Sequence, residues 1–337
     1  MRPPIPLHHA ANLTQIEPSR LQFIAREFRE FLEGDPAGSG DSFDEGAFSL
    51  LQQIHERLFQ RGESPDSIRQ ALRGQMRRMR VIAVTSGKGG VGKTTVSVNL
   101  AVALAQHGQR VLLVDADLGM ANVHVFAGIQ PRATILDLLD GNLPLSEVVS
   151  SGPGGIHVIC GPSGISRAAD LDPRRIEMLG REFVRWGASY DVLVLDTGAG
   201  ISAQVLQFLA MAEEIVVVAT PNLASTLDAY GMVKVIHERR IAGRIRVLVN
   251  QAESDAQAEA VLARIMGCAR QFLQIAPSSL GFLPRDPMFE AANQSRRPLV
   301  LSAPDHENAR RFLAVASQLL QGDPAAERLI PPCTAAA

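Results

Sequence analysis

The clearest chemistry in the sequence lies in a glycine-rich segment that fits the pattern G-x-x-x-x-G-K-[S/T]. The segment is Gly87-Lys88-Gly89-Gly90-Val91-Gly92-Lys93-Thr94-Thr95. Glycines let backbone N–H groups turn inward onto phosphate oxygens, and a helix N-terminus adds a favourable dipole. In this pattern Lys93 is expected to reach the β- and γ-phosphates, the Thr94 hydroxyl to bind Mg²⁺, and Thr95 to touch the α-phosphate.

Acidic side chains follow two apolar segments further along the chain. Asp115 and Asp117 come at the end of one apolar run, and Asp196 comes at the end of another. Carboxyl ends of parallel strands meet at the ligand-binding edge of an open sheet. Asp196 is therefore expected near Mg²⁺, Asp115 in support of the metal shell, and Asp117 beside the attacking water. A lone aspartate at a strand end usually caps a helix, but three beside a phosphate loop indicate a site.

The elements that must position these residues alternate between strand and helix from residue 80 onward. Short Val/Ile/Leu runs predict strands at 81–85, 110–115, 156–160, 192–196, 215–220, 244–250 and 279–283. Helical patterns fall at 93–107, 174–186, 203–212, 225–239, 255–272 and 305–320. This alternation predicts an α/β fold of three layers, a mostly parallel twisted sheet flanked by helices, over residues 80–322.

Both ends of the chain differ from this central part. Residues 1–79 predict a helical, partly disordered extension, with helical faces at 19–32, 43–59 and 64–79 and a glycine-rich linker at 34–42. Residues 323–337 predict a flexible tail. Six arginines stand against two acidic residues between positions 61 and 80. This basic stretch indicates either a solvated helical face or a docking surface for a partner.

Composition excludes several classes of protein. Hydrophobic residues make up 46% and charged residues 20% of the chain, which excludes a wholly disordered protein. Apolar runs fall short of the roughly 18 residues that a membrane span needs. The net charge of −2 gives no global attraction to nucleic acid. The three cysteines are far apart, which argues against a disulfide framework. We therefore expect a cytoplasmic protein, with a peripheral position at the inner membrane or cell pole left open.

Lys88 turns the glycine-rich segment into K-G-G-x-G-K-T-T, a deviant Walker A motif. With the acidic motifs, this resembles the MinD/ParA family of dimerising ATPases over residues 80–320. The resemblance implies ATP and Mg²⁺ as cofactors, slow hydrolysis stimulated by a partner, and a homodimer in the ATP-bound state. Lys88 would cross to the partner subunit's nucleotide, and Asp117 would position water. Asn250 matches an adenine-reading asparagine, and Pro284 and Asp286 lie in a turn expected beside the base.

Shorter matches resemble the flagellar-number regulator branch of that family, FlhG/FleN. The matching segments are residues 121–123, 198–202 and 228–230, together with Gln70-Ala71-Leu72-Arg73 near the N-terminus. The branch implies regulation of flagellar number, placement or assembly through a protein partner: a flagellar GTPase, a switch component or an AAA-type activator. The chain departs from the branch at His124, at Asn222-Leu223 and in its C-terminal segment. Because that segment lacks a basic amphipathic helix, membrane contact is expected to be weak or absent.

Two alternatives stay open at this stage. A ParA-type partitioning ATPase would bind nonspecific DNA through surface arginines, for which Arg296, Arg297, Arg310, Arg311 and Arg285 are the candidates. Scattered solvated arginines explain the same pattern. A nucleotide-binding scaffold without turnover is the other alternative, and the intact Lys93, Asp117 and Asp196 count against it.

Overall fold

A computed structural model of the protein describes residues 5–32, 42–43, 45–75, 79–162, 173–186 and 189–321. The chain divides into two compact units, Met1–Arg77 and Arg78–Ala337, and each is described by itself. The linker predicted at 34–42, apart from Ser42, and the tail predicted at 323–337 lie outside the described residues.

The first unit is built mainly from helices. They are α1 (Leu7–Thr14), α2 (Pro18–Glu27), α3 (Glu45–His55) and α4 (Pro65–Gln75), with a 3₁₀ turn at Arg29–Phe31, a π-helical turn at Glu56–Gln60, and two short antiparallel strands, β1 (Ile5–Pro6) and β2 (Ser42–Phe43). Apolar residues three or four positions apart on α2, α3 and α4 meet in one buried cluster. Helices were predicted in these three places, whereas α1 was missed because it is short and weakly amphipathic.

Two arginines of the basic stretch are paired inside this unit. Arg61 lies 2.6 Å from Glu56, and Arg69 lies 3.0 Å from Asp66. Arg69 also donates to Glu27 and lies over the Phe28 ring at 5.4 Å. These two guanidinium groups therefore bind the unit's own acidic and aromatic side chains.

The second unit carries the predicted alternation. Its strands are β3 (Arg80–Ser86), β4 (Val111–Ala116), β5 (Ser150–Ser151), β6 (His157–Ile159), β7 (Val192–Ala199), β8 (Glu214–Ala219), β9 (Arg244–Ala252) and β10 (Ser278–Pro284). Its helices are α5 (Lys93–Gln106), α6 (Val123–Phe126), α7 (Ile135–Leu139), α8 (Leu145–Val148), α9 (Pro173–Trp186), α10 (Ala203–Ala210), α11 (Leu223–Glu238), α12 (Asp255–Cys268), α13 (Pro287–Gln294), α14 (Leu299–Ser302) and α15 (Glu307–Gln321). A 3₁₀ turn lies at Pro153–Gly155, and a π-helical turn at Ala269–Leu273 extends α12.

The described residues of this unit form one eight-stranded sheet in the order β10-β9-β8-β3-β7-β4-β6-β5. Within it only β5 and β6 pair antiparallel. The three-layer, mostly parallel α/β fold is thus confirmed. Its central strand β3 lies between β8 and β7, so the loop that follows β3 emerges at the middle of the carboxyl edge.

Helices cover the sheet on both faces, which explains the nearly continuous apolar runs of its strands. On β3, Val81 and Ala83 face one buried cluster, while Ile82 and Val84 face the other. The first cluster includes residues of α9 to α12, and the second includes residues of α5 and α15. Burial on both faces fixes the register of β3, and with it the position of the loop that β3 carries.

Candidate functional site

The predicted phosphate loop lies between β3 and α5. Ser86 Oγ donates to the Lys88 carbonyl at 2.6 Å and closes the first turn of the loop. Gly90 and Gly92 have φ angles of 78° and 87°. Residues with a β-carbon rarely adopt this left-handed backbone, so the loop's shape requires glycine at both positions. The loop then enters α5 at Lys93.

Neighbouring elements hold this loop closely. A β-carbon at Gly87 would overlap the backbone of Asp228 on α11, and one at Gly92 would lie 2.5 Å from Asn250 Nδ2. Asn250 Nδ2 donates to the Val91 carbonyl at 2.8 Å. The loop is therefore packed against α11 on one side and β9 on the other, and its conformation is formed by the protein itself.

Lys93 lies at the start of α5, half-buried. Burial lowers the pKa of its ammonium group, and the negative charges of Asp196 and Asp117 oppose that fall. The lysine therefore has little water around it and two carboxylates nearby. A polyphosphate placed on the loop would meet a cation that is poorly solvated and strongly attracting.

Two buried carboxylates lie beneath the loop. Asp115 accepts hydrogen bonds from the backbone N–H groups of Val123 (2.9 Å) and Asp117 (3.2 Å). Asp196 Oδ1 accepts from Ser97 Oγ at 2.7 Å, and the Thr94 side chain also donates to Asp196. Burial raises the pKa of both carboxyl groups, and the charge of Asp196 raises that of Asp115 further. This pair of carboxylates is thus short of positive charge.

These donors fit Mg²⁺. The hydroxyl and carboxylate oxygens of Thr94, Asp115 and Asp196 are hard ligands of the kind that Mg²⁺ prefers, and added positive charge would stabilise both ionised carboxylates. In the described residues no group of three or more His, Cys, Asp or Glu side chains could hold a metal ion. Mg²⁺ in nucleotide sites typically uses one or two carboxylates together with phosphate oxygens, so such a cluster is not required.

Asp117 lies at the open edge of the site, half-buried. Its Oδ1 accepts from the Met120 backbone N–H at 3.0 Å, which shapes the loop after β4. A β-carbon at Gly198, near the end of β7, would lie 3.5 Å from the same oxygen. Asp117 Oδ2 accepts no hydrogen bond from the residues that the structure describes. A free carboxylate oxygen at the carboxyl edge is suited to orient a water molecule.

The residues predicted beside the base already make contacts within the protein. Asn250 Oδ1 accepts from the Gln251 N–H at 3.0 Å, in addition to the bond from Asn250 Nδ2 to the loop. Pro284 O accepts from Asn308 Nδ2 at 3.3 Å. Asp286 caps α13 through Met288 N at 2.8 Å and lies 3.3 Å from His306 Nε2. Their contacts with a base therefore stay predictions. The sequence patterns gave no signal for His306 or Asn308.

The exposed side chains at the carboxyl edge include Lys88 and several apolar residues of the segments that follow neighbouring strands. Lys88 is exposed and has no ion pair within the described part of the chain. Four large apolar residues that follow β4, β7 and β8 are also exposed: Met120 (74%), Ile201 (56%), Leu223 (61%) and Leu227 (59%). We call these four residues the apolar rim. Sequence motifs do not mark them, because exposure depends on the fold.

The surface arginines proposed for DNA contact differ in their surroundings. Arg311 lies 2.6 Å from Glu307, and its guanidinium stacks over the Phe282 ring at 4.1 Å. Arg285 lies 3.8 Å from Glu253. Arg296 and Arg297 are exposed and form no ion pair with any residue that the structure describes. Arg311 is therefore engaged in packing, whereas Arg296 and Arg297 present free cations.

Comparisons with known proteins match the second unit. A ParA family model described as NUBPL iron-transfer P-loop NTPase matches residues 77–320. Antiactivator FleN of Pseudomonas aeruginosa is 39% identical over 246 residues, covering 73% of this chain and 88% of that protein. Flagellum site-determining protein YlxH of Helicobacter pylori is 35% identical over 195 residues, covering 56% of this chain and 64% of its own length.

A solved structure gives the same fold. The septum site-determining protein MinD of Pyrococcus horikoshii, complexed with Mg-ADP, superposes with a TM-score of 0.62 at 26% identity. The match covers 74% of this chain and 97% of that one. Among the described residues, none of the helices is long and apolar enough to cross a membrane.

Proposed function

The chain belongs to the ParA/MinD family of P-loop NTPases, and we propose that it is an ATP-dependent dimerising switch that regulates flagella. As a member it binds ATP with Mg²⁺ and hydrolyses ATP. The proposed part is the switch: ATP joins two copies, the dimer engages a protein partner, and slow hydrolysis, stimulated by that partner, resets it. The exposed, unpaired Lys88 of a closely packed phosphate loop carries this proposal.

We assign the following roles in the proposed cycle. The loop from Gly87 to Thr95 wraps the phosphates, and Lys93 neutralises the β- and γ-phosphate charge. Thr94, Asp196 and Asp115 would hold Mg²⁺, which supplies further charge neutralisation when it is bound. Asp117 orients the attacking water and can accept its proton.

Lys88 links nucleotide binding to dimerisation. Two triphosphates that face one another repel unless each receives a cation from the opposite copy. An exposed lysine at the edge of the loop is suited to supply that cation. Because ADP lacks the γ-phosphate charge, it gives the lysine of the opposite copy less to bind.

The apolar rim supports the same interface, and its burial is comparable with the free-energy cost of association. Full burial of a large apolar side chain contributes about 1.5–3 kcal/mol, and the rim residues are already partly covered. Four such residues on each of two copies contribute roughly 8 kcal/mol in total, and association costs an estimated 4–15 kcal/mol or more. The difference between these two free energies is small enough that ATP binding decides whether the dimer forms.

The flagellar role draws on the two relatives. FleN is named an antiactivator and YlxH a flagellum site-determining protein. These names favour a protein partner in flagellar assembly: a flagellar GTPase, a switch component or an AAA-type activator. Counting flagella per cell in a strain that carries Lys93→Ala tests this role, since loss of nucleotide binding should change the number or placement. Unchanged flagella would contradict it.

Light scattering after gel filtration tests the switch. With Mg-ATP, the slowly hydrolysing Asp117→Asn protein should elute as a dimer, and with Mg-ADP as a monomer. Adding Lys88→Ala should abolish the dimer while leaving ADP binding intact. Lys234→Ala is the matched control, because Lys234 is the chain's remaining lysine and pairs only loosely with Glu238, at 3.7 Å. A protein that stays monomeric with Mg-ATP would refute the switch.

DNA binding is the second candidate function, favoured by the free Arg296 and Arg297. It predicts ATP-dependent retention of random duplex DNA that weakens steeply as salt rises. The double variant Arg296→Glu, Arg297→Glu should then lose retention. If the wild-type protein with Mg-ATP retains no duplex at low salt, the partitioning alternative is excluded.

A further inference from the structure

Ser97 connects the helix that follows the phosphate loop to a strand of the sheet. The residue lies on α5, one turn after Lys93, and is fully buried. Its Oγ donates to Asp196 Oδ1 on β7 at 2.7 Å, and it also lies 3.0 Å from the Lys93 carbonyl oxygen. A serine inside a helix commonly forms only the second kind of bond, to the carbonyl four residues earlier. The bond to Asp196 is therefore an additional contact, between segments far apart in the chain.

The hydroxyl proton of Ser97 has a preferred acceptor. A hydroxyl group carries one proton, so it donates fully to one of the two oxygens. Bonds from a hydroxyl to an ionised carboxylate are shorter and stronger than bonds to a neutral carbonyl. The distances of 2.7 Å to Asp196 and 3.0 Å to Lys93 follow that order. Ser97 thus holds Oδ1 of the ionised carboxylate, and this hydrogen bond limits the rotation of that group.

Thr94 also donates to Asp196, but its expected task differs from that of Ser97. Thr94 lies in the first turn of α5 and is half-buried, and its hydroxyl oxygen is itself assigned to Mg²⁺. Ser97 lies one turn further along the same helix and is fully buried. Hydrogen bonds from such outer residues orient the carboxylates that bind a metal ion. Ser97 is placed to do this for Asp196.

We propose that Ser97 is a positioning residue that sets how tightly the nucleotide complex binds Mg²⁺, a role that rests on the Mg²⁺ site proposed at Asp196. Ser97 touches neither the metal nor the nucleotide in this role, and it acts by holding the Asp196 carboxylate in one orientation. Mg²⁺ requires near-ideal octahedral geometry, whereas Ca²⁺ accepts flexible coordination. A carboxylate that can rotate is therefore a poorer ligand for Mg²⁺ than for Ca²⁺.

A comparison of these two cations separates the orientation of Asp196 from its charge. Loss of the Ser97 donor leaves the charge of Asp196 less compensated, which strengthens its attraction for a divalent cation. This change acts on Mg²⁺ and Ca²⁺ alike, because both ions carry the same charge. A general loosening of the site would also affect both ions together. The ratio between the Mg²⁺ and Ca²⁺ requirements therefore reports how well the carboxylate is oriented.

Titration calorimetry of the full chain with ADP, at increasing free Mg²⁺ or Ca²⁺, tests this role. In Ser97→Ala, the Mg²⁺ concentration that gives half of the maximal gain in ADP affinity should rise by about tenfold or more. The corresponding Ca²⁺ concentration should change by less than about threefold. The affinity for ADP in the presence of EDTA should stay unchanged, because the phosphate loop itself is not altered. ADP is used so that the result does not depend on dimerisation with ATP.

Three further variants separate this role from a loss of stability. Ser97→Thr keeps the hydroxyl group and should restore the wild-type ratio of the Mg²⁺ and Ca²⁺ concentrations. Ser97→Cys fills nearly the same space with a weak donor, so its ratio should shift in the same direction as that of Ser97→Ala, and it decides the test if the alanine variant does not fold. Ser225→Ala is the matched control, since Ser225 is a buried serine whose Oγ accepts from the Thr220 N–H at 3.0 Å. Its ratio should stay at the wild-type value.

The outcomes are distinct. A ratio in Ser97→Ala and Ser97→Cys within about twofold of wild type overturns the role of Ser97. An equal shift in Ser225→Ala also overturns it, because a loss of stability then explains the effect. If Asp196→Asn leaves the Mg²⁺ requirement unchanged, the metal site proposed at Asp196 fails together with the role of Ser97. The proposed ATP switch is decided separately, by the light scattering with Mg-ATP.

Discussion

Replacing Asp117 with asparagine separates catalysis from loop structure. Asp117 Oδ1 accepts a 3.0 Å bond from the Met120 N–H, and the amide oxygen of asparagine can accept the same bond. Asp117→Asn therefore keeps the loop after β4 in place. What it removes is the negative charge and the proton-accepting capacity of the oxygen that faces the open edge of the site.

The expected magnitudes differ enough to be measured separately. Proton transfer by a positioned side chain accelerates a reaction by roughly 10²- to 10⁴-fold, or about 3–5 kcal/mol. The hydrogen bond to Met120 is worth about 1 kcal/mol in net stability. Asp117→Asn should therefore slow hydrolysis at least about a hundredfold while unfolding free energy changes by less than about 0.5 kcal/mol. Asp117→Ala should hydrolyse ATP equally slowly, and its unfolding free energy should also fall by about 1 kcal/mol.

Single-turnover phosphate release with Mg-ATP measures the first effect, and urea unfolding measures the second. Calorimetry with Mg-ADP is the control, since neither variant touches the groups assigned to the α- and β-phosphates. Hydrolysis by Asp117→Asn at the wild-type rate would show that Asp117 does not position the water. If Asp117→Asn and Asp117→Ala lower the unfolding free energy by the same amount, the structural role given to the hydrogen bond with Met120 is refuted.

Two further substitutions test the packing beneath the site. Ser97→Ala removes the 2.7 Å donor to the buried Asp196 and should lower the unfolding free energy by about 1.5–3 kcal/mol, measured by urea unfolding. Restoring stability with Ser97→Thr would support this explanation, and an unchanged Ser97→Ala protein would contradict it. Glu214→Leu removes a fully buried carboxylate that lies 2.9 Å from Arg246 and should cost about 3–5 kcal/mol. The control is Glu259→Leu, at an exposed position on α12, whose unfolding free energy should stay within about 0.5 kcal/mol of wild type. Equal losses of unfolding free energy in Glu214→Leu and Glu259→Leu would refute the buried-pair explanation.

The sequence predicted the fold well where burial on both faces leaves a continuous apolar run. Seven strands of the large sheet were expected close to their actual positions. Two-residue β5 was missed, since it is too short to show a pattern and pairs antiparallel. β7 was expected to end at Asp196 but continues to Ala199, because its pairing with β3 extends to Ser86. Strand ends depend on such neighbours, which local sequence does not encode.

The sequence could predict which residues belong to the candidate site, but it could not predict the contacts that those residues make. Motif spacing indicated the loop, its lysines and the three aspartates, because each belongs to a short local pattern. The hydrogen bonds between Ser97 and Asp196 and between Asn308 and Pro284 join segments far apart in the chain. No local pattern could indicate them. The same limit applies to the apolar rim, whose exposure follows from how the strands are ordered in the sheet.

The close packing of the phosphate loop constrains how ATP can act as a switch. Asp228 on α11 and Asn250 on β9 pack against the loop, and ATP and ADP share the α- and β-phosphates, so the groups that contact those phosphates serve both nucleotides equally. A ligand shifts an equilibrium only through a difference in its affinity for the two states. The difference between ATP and ADP must therefore act at the groups assigned to the γ-phosphate or to the water that attacks it, which are Lys88, Lys93 and Asp117. Of these, Lys88 alone is exposed, as are the residues of the apolar rim. The structural change that follows ATP hydrolysis is thus expected at the apolar rim. The residues that line the inside of the nucleotide site are expected to stay in place.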